Sequence, residues 1–163
     1  MKKFEIIPNE QTPRVPDIDD VELFMIQNIQ KLVAFKEYAK TKDNAVGLAA
    51  NQCSLNGERF MIRVFALRNL QDKSWSLIID PVITEYIGIK EIKVESCLTW
   101  KEQVIVAERS RGLYVTYYDE NGKEHIMELH KGFEGQIWQH EINHLDGIEE
   151  DVRITFTEPL VKK

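Results

Sequence analysis

Apolar residues recur at steps of three and four from Val21 through Met25, Ile29, Leu32, Phe35 and Ala39, the spacing that gathers side chains on one face of an α-helix. Asp17, Asp19 and Asp20 precede the run and supply carboxylates where a helix begins. The polar stretch Thr41-Lys42-Asp43-Asn44 ends it, so a helix of about 20 residues is predicted. Residues 1–16 hold Pro8, Pro13 and Pro16 and no sustained period; they read as an extended arm laid along the domain.

The middle of the chain changes character. Arg59 to Leu67, Ser76 to Ile83, Glu91 to Glu95 and Leu113 to Tyr118 carry branched and aromatic residues in short, partly alternating runs, which predicts strands. Asp119-Glu120-Asn121-Gly122-Lys123 has the composition of a tight turn, so Glu124 to Leu129 should fold back as the second arm of a hairpin. Gly132 then introduces a second helix, Phe133 to Asp146, with Gly147 placed to close it. The tail from Ile148 is short and mixed. The predicted class is α+β: one long N-terminal helix and a mostly antiparallel sheet around a late central helix.

Length and charge narrow the field. The 163 residues amount to one domain, expected to span 1–163. Apolar runs fall far short of the ~20 residues a membrane span needs, and Met1-Lys2-Lys3-Phe4 leads into Glu5 rather than an apolar core. A cytoplasmic protein is therefore expected. The net charge is −6 and only Lys162-Lys163 is locally basic, so no direct nucleic-acid surface is expected. Two cysteines cannot build a disulfide framework; in a reducing compartment such thiols more often bind metal or catalyse.

The late helix contains His140-Glu141-Ile142-Asn143-His144. Histidines four apart project from one helical face and can grip one metal ion, while Glu141 lies beside that face and can reach a water there without being a ligand. Phe133, Ile137, Trp138, Ile142 and Leu145 surround the motif, so the helix should be buried, and buried imidazoles need partners. A catalytic ion needs a third protein ligand. Gly147 extends the motif toward that of metallopeptidases with a further histidine, but Glu150 occupies that position and no methionine follows Met127. The 19 residues after His144 leave no room for a glutamate on a further helix. The remaining soft donors are Cys97 and Cys53. His125 and His130 are expected at the surface.

Three segments in order, Gly47-Leu48-Ala49-Ala50-Asn51-Gln52, Glu95-Ser96-Cys97-Leu98-Thr99 and Gln139-His140-Glu141-Ile142-Asn143-His144-Leu145-Asp146-Gly147, resemble the motifs G-x-G-L-A-A-x-Q, E-G-C-L-S and Q-H-E-x-D-H-L-x-G of peptide deformylase. The resemblance implies removal of the formyl group from the initiating formylmethionine of nascent peptides. It implies Cys97, His140 and His144 as metal ligands and Glu141 as general base and acid. Gln52 and the backbone N–H of Leu98 would be oxyanion donors. A methionine pocket with Val46, Phe133 and Ile137 is implied, as is substrate backbone beside Gly47 and Ser96. One divalent ion is implied, Fe2+ natively, with Zn2+, Ni2+ or Co2+ able to replace it. Glu95 and Arg109 match an ion pair of the family, and Cys53 matches no ligand and reads as a small buried filler.

The departures are Ala45, Ser96, Trp100, Lys101 and Asn143. They bear on peptide preference beyond methionine, with Trp100 expected to offer an aromatic edge to the groove. The short tail resembles that of bacteriophage forms, and ribosome docking through a long C-terminal helix is not expected. The rival readings are an H-E-x-x-H metallopeptidase, which would not need Cys97, and a noncatalytic metal- or peptide-binding relative, which would need neither Glu141 nor Gln52.

Overall fold

A computed structural model describes residues 3–130, 132–148 and 152–155. The N-terminal arm contributes β1 (Phe4–Ile6), and α1 (Val21–Lys40) follows. Of the three candidate aspartates, Asp20 is the cap: its side chain accepts from the Leu23 N–H at 3.0 Å, satisfying a first-turn donor that the helix cannot pair. β2 (Gly47–Ala49) runs into a single 3-10 turn, Ala50–Gln52, then β3 (Cys53–Leu55), β4 (Glu58–Arg59) and β5 (Val64–Arg68). Two long strands come next, β6 (Trp75–Glu95) and β7 (Gln103–Tyr118), then β8 (Glu124–Leu129), α2 (Gly132–Asp146) and β9 (Val152–Thr155). The tail after Thr155, with Lys162-Lys163, lies outside the described residues.

All strand pairs are antiparallel. A small sheet has the order β1-β3-β4; the larger runs β2-β5-β6-β7-β8, with β9 also paired to β7. The predicted hairpin forms with Tyr118 opposite Glu124, and Asp119 Oδ1 accepts from the N–H groups of Asn121 and Lys123 at 2.8 and 3.1 Å. Two runs expected as separate strands, Ser76 to Ile83 and Glu91 to Glu95, are parts of one strand, β6. Its pairing with β7 shifts register at Ile79/Val82, Ile83/Glu85 and Ile87/Lys90. Such bulges bend a strand without ending it, so one half of β6 builds the central sheet and the other reaches the end of α2.

Two of the buried clusters hold these layers together. Phe4, Phe35 and Phe60 meet with ring centroids 5.1–5.8 Å apart, joining the arm and α1 to the small sheet. Trp138 packs on Phe65 and Tyr117 at 5.2 and 5.1 Å, seating α2 on the larger sheet. The periodicity of α1 is only partly reproduced: Leu32, Phe35 and Ala39 are buried, but Ile29 faces outward. Among the described residues, no helix is long and apolar enough to cross a membrane.

Gly147 closes α2 as the spacing predicts. It sits at φ +67°, and the N–H groups of Gly147 and Ile148 return to the carbonyls of His144 and Asn143 at 3.2 and 2.9 Å, a Schellman pair. A Cβ there would also fall 2.6 Å from the backbone nitrogen of Arg14. Gly147→Ala is expected to destabilise the fold by more than about 2 kcal/mol, combining left-handed backbone strain with displacement of the arm; urea unfolding at equilibrium measures it.

Candidate active site

α2 delivers Gln139, His140, Glu141 and His144, which are 3%, 7%, 4% and 3% exposed. A helix this buried is held in place by polar contacts. The amide of Gln139 accepts from the Ser110 N–H and donates to the Ser110 carbonyl, both at 2.8 Å, clamping α2 to β7. The carbonyl of His144 accepts from Thr12 Oγ1 at 2.7 Å and Asn51 Nδ2 at 2.6 Å. Both bonds tie the last turn of α2 to distant segments.

Cys97 lies in the turn between β6 and β7. It faces the histidines: its Sγ is 3.3 Å from His144 Nε2, which is 3.2 Å from His140 Nε2, and donor atoms of all three residues lie within 4.8 Å of one another. An ion held tetrahedrally by sulfur and imidazole nitrogen spaces neighbouring donors by about 3.3–3.6 Å, so the group fits a metal ion. Behind it, Glu95 Oε1 lies 2.8 Å from His140 Nδ1. That bond puts a hydrogen on Nδ1 and leaves the Nε2 lone pair facing the other donors.

Glu95 is itself paired. Arg109 Nε and Nη2 donate to its two oxygens at 2.9 and 2.6 Å, with side chains 3% and 7% exposed. Burial alone would raise the Glu95 pKa, but the bonds from Arg109 and His140 outweigh it and hold the carboxyl at about 2. Burial likewise works against charge on His140, yet the Cys97 thiol and Glu95 carry its pKa well above the ordinary value. Burial, then the neighbouring His140 and Arg109, push His144 well below. The two imidazoles are thus pushed in opposite directions by the groups around them.

Gln52, 2% exposed, comes from the 3-10 turn. Its Oε1 accepts from the Ala49 N–H at 2.8 Å, and its Nε2 reaches Thr99 Oγ1 at 2.9 Å and Cys97 Sγ at 3.4 Å. The amide is thus orientated from both ends with its nitrogen toward Cys97. Gly47 on β2 lies against Glu141: a Cβ there would come within 2.7 Å of Oε2 and 2.9 Å of Cγ. A cavity of about 460 Å3 opens over these groups, lined by Val46, Gly47, Gln52, Ser96, Cys97, Leu98, Phe133, Ile137, His140 and Glu141 among others. Every residue expected at the site borders this cavity except His144, which lies beneath it beside Cys97 and His140.

Elsewhere the outcome is mixed. Trp100 does not line the cavity; it is 8% exposed and packs with Ile105 and Ala107, because the turn after Cys97 points its large side chain into the interior. Lys101 lines the cavity instead. Cys53 is fully buried, and burial raises its thiol pKa to about 12, as suits an inert filler. His130 is exposed, and His125 pairs with Asp119 at 2.7 Å. Sequence alone does not single out Thr12, Asn51 or Thr99. Asn51 and Thr99 do stand inside the recognised motifs, next to Gln52 and two places after Cys97.

The polypeptide deformylase family model matches residues 9–153. The chain is 38% identical to peptide deformylase of Thermus thermophilus over 117 residues, 63% of this chain and 58% of that protein. The match thus spans less than two thirds of that relative's length. It is 30% identical to the peptide deformylase of Nautilia profundicola over 122 residues, 74% and 69% of the two chains. The crystal structure of the "probable peptide deformylase" from synechococcus phage S-SSM7 superposes with a TM-score of 0.69 at 25% identity, covering 90% of this chain and 96% of the phage protein.

Proposed function

Because the chain belongs to the polypeptide deformylase family, we propose that it hydrolyses the formyl group from formylmethionine at the N-terminus of nascent peptides, releasing formate and a free α-amine. The observation that carries the reading is the convergence of Cys97 Sγ and two imidazole Nε2 atoms beside Glu141 and Gln52 in a largely apolar cavity.

A divalent ion held by Cys97, His140 and His144 supplies, when bound, the Lewis acidity that brings a water proton within reach of a carboxylate near neutral pH. Glu141 takes that proton as the water oxygen attacks the formyl carbon, and returns it to the nitrogen as the C–N bond breaks. The Gln52 amide and the Leu98 N–H donate to the oxygen on which negative charge gathers. Since Thr99 and the Ala49 N–H already hold the amide, Gln52 is orientated before charge develops. Val46, Phe133 and Ile137 take the unbranched methionine side chain. Gly47 and Ser96 border the peptide backbone, and β2, at the end of its sheet, offers that backbone an edge.

Gly47 has a second role in this reading: it leaves room for the Glu141 carboxylate. Gly47→Ala is expected to lower kcat for formate release about 100-fold through a displaced base, with little change in the unfolding midpoint.

We assign the native ion as Fe2+ and the setting as the reducing cytoplasm, with residues 1–163 acting as one catalytic domain. Zinc outcompetes iron on intrinsic affinity, so iron would depend on supply, and both Fe2+ and the Cys97 thiolate are oxidisable. The test is formate release from formyl-Met-Ala-Ser by anaerobically purified protein, with metal analysis before and after exposure to air. Activity with stoichiometric iron, lost in air, is expected. No release by fully metal-loaded protein overturns the function; full activity in air with stoichiometric zinc overturns the assignment of iron alone.

A further inference from the structure

The outer face of α1 carries an aliphatic row that no described residue covers. Ile26 is 68%, Ile29 51% and Val33 56% exposed, whereas monomers mostly expose large apolar side chains singly. Glu22 continues the row at one end, Lys36 and Lys40 at the other. Glu22, Ile26, Ile29, Val33, Lys36 and Lys40 follow alternating steps of four and three, the spacing of a seam between two helices. Beside the row lies a groove of about 220 Å3, walled by Met25, Ile29, Val33, Leu77 and Ile79 among others.

We propose that this face joins two copies of the chain, α1 packed antiparallel on α1. The row is complementary to its own reverse. A two-fold axis at the level of Lys31 sets Ile29 of one copy against Val33 of the other and Glu22 against Lys40, and each pairing occurs twice, as a closed two-fold interface requires. Ile26 meets Lys36, whose alkyl stem can cover it while its ammonium stays on Glu120 at 2.8 Å. Lys40 lies 2.8 Å from Glu37 in an exposed pair, which exchanges partners at little cost. A parallel arrangement would set Glu22 on Glu22 and Lys40 on Lys40, so charge selects the antiparallel one. None of the row lines the active cavity, and the contact leaves the chemistry untouched. With about 30 Å of helix in contact, the interface is at the small end of specific ones.

Sedimentation of the full, metal-loaded chain from about 1 to 200 µM tests this. A monomer–dimer equilibrium is expected. Ile29→Glu should remain monomeric throughout, with unchanged circular dichroism and formate release, since Ile29 is already half exposed. Lys40→Glu should weaken the dimer about fivefold, and adding Glu22→Lys should restore it to within about twofold, because the charges then exchange places. A native chain monomeric at every concentration overturns the proposal. So does a dimer that survives Ile29→Glu, or a charge-exchanged double variant no tighter than Lys40→Glu.

Discussion

Glu141→Gln protein is expected to release formate about 1,000-fold more slowly than native protein at equal metal content, within the range general acid–base groups supply. The amide matches the carboxylate in size, so contact with Gly47 and the burial of α2 are retained; what disappears is the capacity to take and return a proton. Cys97, His140 and His144 are unchanged, so metal content should match native protein by elemental analysis, and the thermal unfolding midpoint should move little. The combination matters more than the rate. A variant that lost metal together with activity would show Glu141 acting as a ligand, and one that kept full activity would remove it from the reaction. An H-E-x-x-H peptidase would also lose activity on this change. It would, however, cleave internal peptide bonds in native form, which analysis of the formyl-Met-Ala-Ser products by mass would reveal.

The second large effect falls on stability. Glu95→Ala is expected to cost about 3–5 kcal/mol in urea unfolding of metal-free protein, the range found when one partner of a buried ion pair is removed. The reason lies with what remains: Arg109, with a side chain only 3% exposed, would keep its charge in a site built around a carboxylate. The same change removes the acceptor from His140 Nδ1, and the imidazole loses the bond that sets its tautomer and direction. Metal affinity should therefore fall about 10- to 100-fold as well. Replacing both partners, Glu95→Leu with Arg109→Met, separates the two effects. Most of the lost stability should return because the buried charge leaves together with its carboxylate partner, while metal affinity should stay low because His140 still lacks its acceptor. Recovery of both together would mean that the pair matters only for folding.

Where the chain could be read directly, the reason was local. The step pattern before Thr41 marked α1, and Gly147 marked the end of α2, because helix ends depend on caps a few residues away. Asn121-Gly122 marked the hairpin for the same kind of reason. Gln103 to Gly112 was not read as strand, since Ala107-Glu108-Arg109-Ser110-Arg111 carries too many polar residues. It is strand because Arg109 and Ser110 face buried partners, Glu95 and Gln139, that arrive from elsewhere. Trp100 and Ile29 were misread for one reason: residue type and spacing suggested a direction, but neighbours brought in from other segments set it.

The site divides along the same line. Two histidines one helical turn apart converge because a helix has a fixed pitch, so His140, His144 and the neighbouring Glu141 could be recognised as a metal motif from five consecutive residues. The third donor could not be chosen that way. Cys97 is 47 residues from His144, and spacing alone leaves Cys53 an equal candidate. Folding separates them by placement: Cys53 is sealed in the core of the arm and α1, while the bend of β6 carries Cys97 to within 3.3 Å of His144 Nε2. The bracing by Thr12, Asn51 and Thr99, and the room Gly47 leaves for Glu141, likewise arise only when distant segments meet, since a hydrogen bond or a steric contact depends on distance in space and has no counterpart in spacing along the chain.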